Sequence, residues 1–175
     1  MTRFLQRILK AALLNRATYE QIETDRSATG QAFLVVLLAS AAAGLGAIAN
    51  HGAMGILWHT IHGVILWYVW AYATYFIGTR FLSNPETSAD HGELLRTIGF
   101  SSAPGLLRVF GVISPITGLV FVVSGLWMLA SMVVAVRAAL NYPSPWRAIA
   151  VCAIGFPIYA VGILISILLL GPWPL

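Results

Sequence analysis

Of 175 residues only one is a cysteine, Cys152, and only 9% are charged. A lone cysteine permits no intrachain disulfide, and in an apolar run it reads as a small buried hydrophobe. A soluble domain averages about 25% charged residues, so there are too few here to cover a water-facing surface. No acidic residue follows Glu93. The later apolar segments therefore lack a carboxylate for proton relay, which argues against a proton-coupled transporter. A nucleophile elbow, an HExxH helix, a P-loop and a dinucleotide-binding glycine pattern are also missing. The serines of "GFSSAPG" have no base at a telling spacing. The reading is non-enzymatic, with no catalytic residue, cofactor or metal assigned. Arg3, Arg7 and Lys10 interrupt the first apolar residues, so a secretory signal is not expected. Neither a myristoylation glycine nor a prenylation box is present.

What remains is 59% hydrophobic, with a mean hydropathy of +0.84. The expected class is an all-α polytopic membrane protein. Five segments are long and apolar enough to span, near 31–50, 56–79, 97–113, 116–136 and 148–170. Only helices satisfy their own backbone in lipid. A net charge of +4 does not point to nucleic acid, because the basic residues cluster at span edges. Arg3, Arg7, Lys10, Arg16, Arg26, Arg80, Arg96, Arg137 and Arg147 fall on one side of a five-span chain. By the positive-inside rule that side is cytoplasmic, so the N-terminus is inside and the C-terminus outside. All six acidic residues fall on the same side. Trp146 and Trp173 bracket the fifth span as interfacial indoles, and "WYVWAYATYF" (67–76) lies in the inner half of the second.

Two parts follow: a cytoplasmic segment, 1–30, and a five-span membrane unit, 31–175. On a helical wheel Arg3, Gln6, Arg7 and Lys10 share one face, and Phe4, Leu5, Ile8, Leu9 and Ala12 the other. Such a basic amphipathic helix suits an anionic cytoplasmic leaflet. The alternative is an ordinary helix packed across the inner ends of the spans, which buries the same stripe. The spacing of Thr18 and Gln21 predicts a capping box, and Ser27 or Thr29 is placed to cap the first span.

Polar residues inside the spans are the candidate site. Pro104 lacks an N–H and breaks or kinks the third span. Gly99 and Gly105 bracket it and allow close helix approach, while Ser101 and Ser102 can bond freed backbone groups. Arg108 lies about five residues, or ~7.5 Å, from the outer end of that span. Three roles are open to it: an interface anchor, a donor to carbonyls of the broken helix, or an anion or lipid contact. His59 and His62 sit three apart on the second span, on a face shared with Gly55, Gly63, Leu66 and Trp70. Zinc needs three or four ligands, and on a straight helix His51 lies ~12 Å from His59. Neutral packing is favoured over a titrating pair or a metal or haem site.

The stretch "ELLRTIGFSSAPGLLRVFG", followed by a span ending "MVVAVRAALNYPSPWRA", resembles the Yip domain, the membrane domain of Ypt/Rab-interacting proteins, which has bacterial relatives. The resemblance covers about residues 30 to 170. It rests on Gly99, Phe100 and Pro104 early in the third span and on the basic return from Arg137 to Arg147. It implies a non-enzymatic membrane scaffold in a bacterial cytoplasmic membrane, organising the bilayer, a membrane-protein partner or a second copy of itself. Eukaryotic members bind prenylated small GTPases. Here Tyr19 stands in "ATYEQ" with no Asp-Leu-Tyr-Gly-Pro-type motif, so the resemblance does not carry small GTPase binding over. A small transporter or lipid-handling protein built on the broken third span and Arg108 is the alternative.

Overall fold

A computed structural model of the chain describes residues 3–85, 87 and 89–170. Glu86 and Trp173 lie outside the described residues. Within them, every regular element is a helix: α1 (Arg3–Ala12), α2 (Arg16–Thr24), α3 (Ala28–Gly46), α4 (Ile48–Arg80), α5 (His91–Ser101), a 3-10 helix (Ala103–Val112), a short 3-10 turn (Ser114–Ile116), α6 (Thr117–Ala139) and α7 (Pro145–Leu170).

Among the described residues four helices are long and apolar enough to cross a membrane: α3, α4 from His51 to Arg80, α6 with its preceding turn from Ser114, and α7 from Pro145 to Ile165. The segment expected as a third span broken or kinked at Pro104, 97–113, is not one α-helix. It leaves α geometry at Ser102 and continues as ten residues of 3-10 helix. Pro104 explains the change: with no N–H it cannot donate to Phe100, and at the start of a new helix the missing donor costs nothing. The Ser101 hydroxyl takes up slack by donating to the carbonyl of Ile98 at 2.7 Å.

Small residues set the spacing of the bundle. A β-carbon on Gly99 would sit 2.7 Å from the β-carbon of Ala32. One on Gly105 would sit 3.2 Å from Ala39, and one on Gly111 would sit 3.2 Å from the α-carbon of Gly46. Positions 32, 39 and 46 thus meet 99, 105 and 111 in order. From 39 to 46 seven α-helical residues rise ~10.5 Å, and from 105 to 111 six 3-10 residues rise ~12 Å, so these contacts stay in step. Gly46 is essential to this approach, because a side chain there would run into the Arg108 carbonyl. On the other side, α6 runs antiparallel to the 3-10 helix, with Met128 near Gly105 and Phe121 near Gly111. α4 runs antiparallel to α3, with Gly63 against Ser40 and Gly44 against Ile56. α7 returns along α4, with Gly155 against Trp70 and Gly162 against Leu66.

The N-terminal residues form a two-helix hairpin. Asn15, not the Thr18–Gln21 pair, caps α2, its Oδ1 accepting the Thr18 N–H at 3.0 Å. Ser27 precedes α3 but makes no side-chain cap bond; its N–H donates to Asp25 Oδ1 instead. A capping box does occur at α5, between Asp90 and Glu93. Ile8, Ala11, Tyr19 and Ile22 pack with Ala32, Phe100, Ala103 and Ala135 in one core. Arg7 departs from expectation. It does not join Arg3 and Lys10 on the face expected to meet the membrane surface but is buried, with Nη2 2.6 Å from Asp25 Oδ2 and Nη1 3.1 Å from Gln31 Oε1. A buried guanidinium needs paired acceptors, and a wheel drawn on α1 alone cannot show that Asp25 supplies one.

Candidate functional site

Between α3, α4, α6 and α7 lies a cavity of about 400 Å³. Most of its wall is apolar, including Leu66, Trp67, Ile98, Met128 and Met132. Its polar lining consists of Arg108, His59, His62, Ser40, Ser102 and Tyr159, with Cys152 beside them. Among the described residues no carboxylate lines it.

Each of these groups is placed by local sequence logic. Arg108 is the sixth residue of the 3-10 helix that Pro104 starts. Its Nε donates to Ser124 Oγ at 3.2 Å, and its Cζ lies 5.4 Å from the centre of the Phe121 ring. Ser124 in turn donates to the carbonyl of Phe121. The guanidinium is held by a neutral hydroxyl and an aromatic face, which leaves its charge uncompensated among the described residues. Of the three roles open to Arg108, this geometry turns it toward the bundle interior.

His59 and His62 face the same cavity, so the structure brings both together with Arg108. The face they occupy is a packing face, as Gly63, Leu66 and Trp70 all meet neighbouring helices. His51 is where straight-helix reasoning fails. Gly52 adopts φ 62° and ψ −171°, a left-handed conformation that suits glycine, and the helix bends there. His51 folds back until its Nδ1 lies 3.4 Å from His59 Nε2. Gly55 leaves room for it, since a β-carbon there would sit 2.5 Å from that of His51. No group of three His, Cys, Asp or Glu side chains suited to a metal occurs among the described residues. Trp70, 6% exposed, also lines the cavity, and its indole N–H has no hydrogen-bond partner among the described residues.

Gly99, Pro104 and Gly105 are not among the lining residues; they are buried behind the wall and position the helix that carries Arg108. Arg3 and Lys10 are exposed on α1. Sequence reasoning passed over Ser124, Trp70 and Tyr159 as site residues. The available signal for Ser124 was a hydroxyl in the otherwise apolar run "FVVSGLW", on the helix after Arg108.

A second polar cluster joins the hairpin to α5. Arg96, 6% exposed, donates through Nε to the carbonyl of Glu23 at 3.0 Å. Burial, then the charges of Glu93 and Glu20, push the Glu23 carboxyl up to about 7. The Ser27 hydroxyl and then Arg7 hold the Asp25 carboxyl down at about 2. Burial raises the Tyr19 phenol well above its ordinary value, so it stays neutral and donates to the Ala11 carbonyl at 3.2 Å.

The family model for the Yip1 domain matches residues 11–168. Neither the curated proteins nor the solved structures give a match. The match covers nearly the whole chain and takes in both the hairpin's second helix and the cavity, and the chain belongs to the Yip1 domain family.

Proposed function

We propose that this Yip1-domain protein is a non-enzymatic membrane protein that crosses the bilayer five times and holds an anionic amphiphile of the lipid type in its interior. The fifth crossing is α5 with the 3-10 helix. Eleven α-helical residues rise ~16 Å and ten 3-10 residues ~20 Å, together more than the ~30 Å of the hydrocarbon core. The ordered contacts of 99, 105 and 111 with 32, 39 and 46 support a crossing parallel to α3. With nine of the ten basic residues on one side, the N-terminus is cytoplasmic and the C-terminus outside.

The observation that carries the ligand reading is the cavity: about 400 Å³, apolar over most of its wall, with Arg108 and no carboxylate. A bundle that served only as a scaffold for partners or for a second copy has no use for a guanidinium, without a counter-charge among the described residues, facing a cavity between its helices. An unpaired charge in a low-dielectric interior favours an anion strongly, and the apolar wall favours a hydrocarbon chain. Native mass spectrometry of the protein released from its own membranes tests this. Wild type is expected to retain an anionic lipid-sized mass that Arg108→Ala loses. Equal retention by the two, or an empty wild type, overturns it.

A further inference from the structure

The N-terminal hairpin sits deep alongside α6. The indole N–H of Trp127 donates to the carbonyl of Ala12 at 2.7 Å, and Ser131 Oγ donates to the carbonyl of Ala11 at 3.4 Å. Trp127 precedes Ala139, the last residue of α6, by twelve positions, so it lies ~18 Å from that end. The α1–α2 turn at 13–15 is therefore level with the middle of a helix long and apolar enough to cross a membrane. At the other end of α1, Phe4 meets Phe100 with ring centres 6.4 Å apart, and α2 climbs back to place Glu23 on Arg96. The hairpin descends beside the bundle and returns.

Its outward face is mixed. Leu5, Leu9 and Leu13 are exposed at a spacing of four, and Leu13 is 73% exposed. Between them Arg3, Gln6 and Lys10 are exposed, and Arg16 and Glu20 form an exposed ion pair at 2.7 Å. Arg3 and Lys10 have no acidic partner among the described residues. Hydrocarbon tails cannot solvate these groups. A second copy of the chain would oppose the same basic face to itself across a two-fold interface, which is repulsive. Anionic phosphates match the charge, and the leucines match the tails beneath them.

We propose that the α1–α2 hairpin is a wedge that draws anionic phospholipid headgroups, and water with them, into the leaflet at the N-terminal end of the bundle, down toward Trp127. Arg3 and Lys10 bind the phosphates. The wedge needs only that α6 crosses the membrane, so it stands whether or not the cavity holds a ligand.

The test uses the full chain with Cys152→Ala, reconstituted in vesicles of phosphatidylglycerol and phosphatidylcholine. One spin label is carried at Leu13→Cys, another at Ile65→Cys, an exposed position on α4 two residues from the Gly63–Ser40 contact. The Leu13 label is expected to be several-fold more accessible to a water-soluble nickel chelate than the Ile65 label, while α2 backbone amides stay slow to exchange. Arg3→Gln with Lys10→Gln is expected to reduce the phosphatidylglycerol retained around the protein. A Leu13 label as oxygen-exposed and nickel-shielded as Ile65 overturns the wedge. So does shielding from both reagents with label–label broadening, which means a second copy covers the face. Fast exchange in α2 overturns it as well, since the hairpin is then undocked in water.

Discussion

Arg96 grips Glu23 by its backbone, Nε to carbonyl at 3.0 Å, and leaves the Glu23 carboxylate to face Glu93 and Glu20. A carboxyl with a raised native value is bound more tightly to its proton in the folded state than in the unfolded chain. Stability from that proton is full below the ordinary carboxyl range, near 4.5, and is lost as pH rises through about 7. Backbone amides of α2 are expected to exchange more slowly at pH 6 than at pH 8, after correction for intrinsic rates. Glu23→Gln is expected to remove that difference, as measured by hydrogen exchange of the reconstituted protein.

Asp25 behaves in the opposite sense. Its depressed value means that its contribution is present above the usual carboxylate range and is lost as pH falls toward 2. Asp25→Asn leaves buried Arg7 without its counter-charge, at a cost of about 2 kcal/mol. A lowered thermal midpoint in detergent at pH 7 is expected, with the gap from wild type closing under strong acid.

Gly99 and Gly30 make a matched pair of tests. Gly99→Ala puts a methyl 2.7 Å from the Ala32 side chain, whereas Gly30→Ala meets nothing within 4 Å. The first is expected to destabilise by about 1–3 kcal/mol through overpacking. The second lies in α3 and is expected to be neutral or to stabilise by up to about 1 kcal/mol. Thermal unfolding followed by size-exclusion recovery distinguishes them.

Pro104→Ala restores the donor that an α-helix needs. If the segment rewinds from 120° to 100° per residue, Arg108, four residues on, turns by ~80° away from Ser124. Retention of an anionic lipid by native mass spectrometry is then expected to fall toward the Arg108→Ala level. Full retention would mean that contacts with α3 and α6, rather than the proline, hold the 3-10 winding.

The four long helices were legible because lipid selects for apolar length, and composition reports length directly. Residues 97–113 were legible as broken but not as 3-10, because hydrophobicity does not distinguish a rise of 1.5 Å from one of 2.0 Å per residue. Arg108 stood out as a charge in an apolar run, but its direction depended on that winding. His51 was misplaced because a straight axis was assumed where Gly52 turns the chain. Arg7 reads as a membrane-surface residue beside Arg3 and Lys10 because a helical wheel sees one helix, and its partners, Asp25 and Gln31, lie on other parts of the chain.

The matched rows of α3 and the 3-10 helix restrict how this chain can change length. Adding or removing one residue between 99 and 111 carries every later contact off its opposite number, sending Arg108 away from Ser124 and a side chain into Gly46. The loop at 81–85 has no such row to keep in step. Insertions and deletions in natural variants of this protein should accumulate in that loop and be purged from the stretch 99–111, whose residues 99, 105 and 111 meet α3.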